Sequence, residues 1–172
     1  MKKEVNFYLK NRQIVKDKNV VSLSGRYLEK AKNNLLTMGI LSEIQQNREI
    51  RDLLKIPSYY TSDEWVVITG YYAMYTAALA LLAKAGFRSK NHAATLLMLE
   101  EHFVKKKHLD EKDLLLIKNA QFQREEIENL SEARYKREIA QYSVTKQTTK
   151  NIAEKIKKDS YDFVNKVELI LQ

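Results

Sequence analysis

Residues 63–85 read DEWVVITGYYAMYTAALALLAKA, and this stretch decides the fold. No charged residue occurs between Glu64 and Lys84, and the only Trp of the chain, Trp65, lies within it. A segment this apolar must be buried against something. Trp65 to Ala83 has the length of a short membrane-spanning helix. Hydroxyl groups at Thr69, Tyr71, Tyr72, Tyr75 and Thr76 interrupt its middle, where a lone span would not place them. A helix apolar all round is also what the centre of a helical bundle contains. The reading is therefore a core helix and no membrane.

The flanks fit that reading. Thr61 and Glu64 have capping-box spacing, which starts the helix at about Ser62. Gly86 supplies a left-handed cap at its end. Before it, Leu28, Ala31, Leu35 and Met38 recur at helical spacing and predict a helix over 24–46. Arg48–Lys55 continues it or forms a short separate helix, and Pro57 ends it. After Gly86, residues 87–90 read as a connector and 91–105 as a helix burying Ala93, Leu96, Leu97 and Leu99. Asp110 is placed to cap a long helix with a stripe of Leu116, Ala120, Ile127 and Leu130, bent at the acidic run 125–132. A final helix over 145–171 carries Ile152, Ile156, Phe163, Val167 and Ile170. Residues 1–21 show no clear period and read as an N-terminal arm with a short helix at Val5–Leu9. Residues 22–172 read as the bundle.

Composition agrees. Among 172 residues there are one Pro and four Gly, too few for many hairpins. The expected class is all-α: an antiparallel up-and-down bundle of four principal helices, with an extra short helix and the arm. The chain has no Cys, which removes disulfides and thiolate chemistry and suits a reducing compartment. The N-terminus has positive charge but no apolar run behind it, so no secretory signal is expected and the cytoplasm is. The net charge is +8; the basic residues interleave with acids over much of the chain, and two patches are more one-sided, Arg88–His92 with Lys105–His108 and Arg134–Lys158. Both are compatible with a phosphate-bearing partner.

Sequence motifs for enzymes are missing: no phosphate-cradling glycine loop, no zinc-ligand spacing, no nucleophile elbow. The histidines are His92, His102 and His108, and none pair at i, i+4. Neither a metal nor a cofactor is expected. His92 falls in a first helical turn beside Ser89 and Lys90. It reads either as a neutral imidazole holding a phosphate or as a first-turn His bonded to nearby backbone. Tyr71, Tyr72 and Tyr75 read either as a base-stacking platform or as core. Lys136, Arg137 and Tyr142 read either as a phosphate site or as a solvated basic turn.

The block Gly70–Leu82 (GYYAMYTAALALL) is similar to the Tyr-Tyr-Ala-Met helix of the HEPN superfamily of small helical bundles. Leu28-Glu29-Lys30-Ala31, Ser89-Lys90-Asn91-His92 and Glu101-His102-Phe103-Val104-Lys105 resemble further family segments. Arg137-Glu138-Ile139-Ala140-Gln141-Tyr142 resembles the Arg-x-x-Ala-Asp-Tyr signature of one branch, with Gln141 in place of Asp. The resemblance covers about 26–171, with an insertion near 42–60. It implies either a metal-independent ribonuclease dimer or the partner of a nucleotidyltransferase in a toxin–antitoxin pair. The nuclease branch carries an Arg followed four to six residues later by a His. Arg137 matches the Arg, and no His follows it in that window. The expectation is a non-catalytic, homodimeric module that binds a nucleotide, RNA or a nucleotidyltransferase through Arg137, Tyr142, His92, Lys90 and Lys136. The alternative is a divergent ribonuclease in which Arg137 binds the phosphate and His92 or Tyr142 does acid–base work.

Overall fold

The computed structural model describes residues 2–136 and 142–172, with side chains placed outside Lys2 and 130–149. The order of elements is α1 (Lys2–Lys10), β1 (Ile14–Lys16), a 3-10 turn (Lys18–Leu23), α2 (Ser24–Gln46), α3 (Arg48–Leu53), α4 (Asp63–Lys84), β2 (Phe87–Ser89), α5 (His92–Leu99), a π turn (Glu100–Val104), α6 (Glu111–Lys136) and α7 (Tyr142–Leu171). The all-α expectation stands, with one two-stranded ribbon among the described residues.

The stretch at 63–85 is the core helix α4. Thirteen of its 22 residues are buried, so the length that would cross a bilayer is spent inside the protein. Its packing partners are chiefly α2 and α7. Gly70 lets these three helices meet. A Cβ there would stand 2.7 Å from Ile156 Cγ2, 2.8 Å from Ser160 Oγ and 3.0 Å from Met38 Sδ. Short polar ties fix the register. Ser24 Oγ donates to the Ala80 carbonyl at 2.9 Å and Ser62 Oγ to the Leu41 carbonyl at 2.7 Å. These two bonds, at opposite ends, make α2 antiparallel to α4. Lys157 on Ser42 (2.8 Å) and Lys32 on Glu168 likewise make α2 antiparallel to α7.

Helix boundaries follow the expected stripes closely in α2, where Ala31, Leu35 and Met38 are buried and Leu28 is half-buried. Gly86 adopts φ +80°, the left-handed cap foreseen for α4. Two local expectations are corrected. The Thr61–Glu64 capping box does not form; Thr61 Oγ1 instead takes the Asp63 backbone N–H at 3.3 Å. Asp110 does not cap α6 by its side chain. Its carboxylate accepts Lys166 at 2.9 Å, and Asp113 accepts the Asp110 N–H at 2.7 Å. α6 runs unbroken through the acidic stretch, with its stripe at Leu114, Ile117, Ala120 and Ile127. The helix expected over 91–105 is capped by Asn91, whose Oδ1 accepts the Ala94 N–H at 3.0 Å, and it widens into the π turn at Glu100.

The N-terminal segment is tied to the bundle. β1 pairs antiparallel with β2, with Ile14 opposite Ser89, Val15 opposite Arg88 and Lys16 opposite Phe87. Ile14 and Val20 are each 1% exposed. Residues 87–90, expected to be a plain connector, supply the second strand.

Candidate functional site

Tyr71 is the most deeply buried aromatic of α4, with no exposed surface. Its hydroxyl meets His92 Nδ1 in a short hydrogen bond across from α5. Burial raises the Tyr71 pKa well above its ordinary value, with Arg124 opposing, so the phenol keeps its proton. A buried hydroxyl proton needs an acceptor, and among the described residues His92 Nδ1 is the one it meets. Tyr71 therefore donates, Nδ1 accepts, and the neutral imidazole carries its own proton on Nε2. Burial lowers the His92 pKa, Arg124 lowers it further, and Glu125 opposes both. His92 is thus a neutral donor at physiological pH.

Stacking fixes the ring. Tyr75 lies parallel to His92 with centroids 4.1 Å apart. The Tyr75 hydroxyl is 3.5 Å from Thr95 Oγ1, which bonds Ser89 Oγ at 2.9 Å. The first turn of α5 and the fourth turn of α4 are thereby joined by one polar chain.

Arg124 of α6 completes the cluster. Its guanidinium carbon lies 4.9 Å from the Tyr71 ring centre and 5.8 Å from that of Tyr72. Nη2 pairs with Glu128 at 3.2 Å and Nη1 reaches the Tyr72 hydroxyl at 3.5 Å. Nε is buried and has no partner among the described residues. A buried donor left unpaired is costly and marks a place where an acceptor would be gained. Tyr72 itself is 40% exposed, so the cluster opens to the surface there.

The expected site residues fall in three places. His92 is at the cluster centre. Lys90 is exposed two residues before it, its backbone N–H given to the Gln13 carbonyl at 2.9 Å. Lys136 closes α6, twelve residues beyond Arg124, a helical rise of about 18 Å. Tyr142 opens α7, and the side chains of Lys136 and Tyr142 are outside the described set, as is Arg137 altogether. The structure thus joins His92 to Tyr71, Tyr75 and Arg124, and sets the Lys136 backbone well along the bundle from them. The two readings of the tyrosines divide by position: Tyr71 is core, while Tyr72 is surface. Of the two readings of His92, a bond to nearby backbone gives way to one with a distant side chain.

Arg124 went unremarked in the sequence because it heads the run REEIEN and looks like a surface i, i+4 partner of Glu128. His102 lies tilted against Phe87 at 4.7 Å and His108 lies edge-on to Phe103 at 6.3 Å. Among the described residues no group of three or more metal-ligating side chains gathers. No family model, curated protein or solved structure matches the chain.

Proposed function

We propose that the chain is a non-catalytic module of the HEPN type, an up-and-down bundle of four principal helices acting as a cytoplasmic homodimer. It holds a nucleotide, free or within RNA, on the face made by Tyr72, His92 and Arg124. The observation that carries the reading is the pairing of a fixed Nε2–H donor on His92 with the unpartnered buried Nε of Arg124. A cation and a fixed N–H donor in one cluster, beside a partly exposed aromatic ring, suit a phosphate and a base together. The second arm of the proposal is the Lys136–Arg137–Tyr142 segment, which resembles the family signature and would take the neighbouring phosphate or a nucleotidyltransferase surface in a toxin–antitoxin-type pair.

The ribonuclease alternative is weaker on two grounds. No His follows Arg137 at the family spacing. His92, with Nδ1 engaged by Tyr71 and Nε2 protonated, has no free lone pair to act as a base.

The test uses purified protein with AMP and a short single-stranded RNA in the presence of a chelator. Both should bind, the RNA should stay intact, and Arg124→Gln should weaken binding by about tenfold or more. A melting curve of the variant checks that it folds. RNA cleavage that disappears in Arg137→Ala would replace this reading with the ribonuclease. Neither binding nor cleavage would leave an assembly role, and capture of a nucleotidyltransferase encoded beside it would favour the paired module.

A further inference from the structure

Near the C-terminal end of α2, the helices α2, α4 and α7 leave a cavity of about 390 Å³ between them. That volume lies in the range of small-molecule pockets. Two half-buried groups of opposite charge line it from different helices, Asp63 on α4 and Lys157 on α7. Opposite charges partly withdrawn from water gain most by pairing. Here each keeps a neutral partner instead. Lys157 Nζ donates to the buried Ser42 Oγ at 2.8 Å, and Asp63 Oδ2 accepts the Thr61 hydroxyl at 2.9 Å.

α7 repeats the pattern. Lys150, Glu154 and Lys157 stand at i, i+4 and i+7 and line the same cavity. Opposite charges at such spacings commonly meet on a helix surface. Among the described residues no ion pair joins any two of these three or ties one of them to Asp63. An ammonium group has three donors, so Lys157 has two left to give. Between the charges the wall is apolar, with Val66 and Ala153 each 3% exposed.

We infer that this cavity binds a free α-amino acid with an aliphatic side chain. The carboxylate takes the open donors of Lys157, the ammonium takes Asp63 and Glu154, and the side chain lies against Val66 and Ala153. Both charges of the ligand are needed. A phosphate ester would set its negative charge beside two carboxylates, and a metal ion would meet two ammonium groups. A neutral apolar molecule would displace water from Lys157 and Asp63 and give nothing back. A zwitterion satisfies each charge by a charge-assisted hydrogen bond. The cavity shares no residue with the His92 cluster and stands whether or not a nucleotide binds there.

The test is calorimetric titration of the whole protein with leucine, with isocaproate and with isoamylamine, which are leucine lacking its ammonium and leucine lacking its carboxylate. Leucine should bind saturably, and each half-charged analogue about tenfold more weakly or worse. Lys157→Met should weaken leucine by about tenfold or more and erase its advantage over isoamylamine, because the carboxylate has lost its partner. Asp63→Asn should likewise weaken leucine and erase its advantage over isocaproate. Melting curves check that both variants fold, and the analogue series on the wild type decides if one does not. No saturable binding of leucine, valine or methionine would overturn the site. Analogues that match leucine on the wild type would overturn it too, as would folded variants that keep both preferences.

Discussion

α4 and the N-terminal segment make opposite demands on a reader of the sequence. α4 is a run of apolar residues whose burial is written in its composition, and 13 of its residues are buried in the structure. Residues 2–23 are polar, basic and without period, yet Ile14, at 1% exposed, is nearly as buried as the core residues of α4. Local physics governs the first case: side chains that water rejects, a helical period, a glycine cap. In the second, a three-residue strand is stable only because a partner strand seventy residues away satisfies its backbone. Periodicity reveals burial that a segment brings about by itself and is silent on burial arranged by pairing.

The largest effect tests whether the N-terminal segment is as much core as α4. Ile14→Ala should destabilise by about 2–5 kcal/mol, the range for a buried aliphatic side chain. A denaturant midpoint near that of the wild type would show that the ribbon is a loose appendage. Next comes Gly70→Ala, which drives a methyl group into Ile156, Ser160 and Met38. Overpacking here should cost about 1–3 kcal/mol even though Ala is the better helix former. A stabilised variant would mean that the α2–α4–α7 contact gives way easily.

The smallest effect lies where the two regions meet, at His92. Its pKa is held below the ordinary His value by burial and by Arg124. As pH falls below that ordinary value, the unfolded chain takes up a proton that the folded state refuses. Stability is therefore full at neutral pH and declines as pH drops toward the folded pKa. Arg124→Gln should raise the His92 pKa and shrink the decline. Proton chemical shifts of the imidazole, followed with pH, check the sign. A fall in the pKa of the variant would contradict the assigned cause.

Legibility divides along the same line. The limits of α2, the Gly86 cap and the stripe of α7 were all readable, because each is set by residues within a turn or two of one another. His92 stood out through its place at a helix start, but its real partners, Tyr71, Tyr75 and Arg124, come from two other helices. Thr61 and Asp110 matched capping patterns and serve other bonds, to Asp63 and Lys166, because each pattern names a candidate donor and acceptor without weighing competitors. The three-residue strands and the π turn are shorter than any period can register.

The central claim is that His92 is a neutral Nε2–H donor facing a ligand beside Arg124. Long-range nitrogen–proton NMR of the imidazole at neutral pH, before and after adding AMP, measures it most directly. The account predicts the Nε2-protonated tautomer in the free protein and a displaced Nε2–H resonance in the complex. An Nδ1-protonated ring, or an imidazole whose signals ignore saturating AMP, would contradict it.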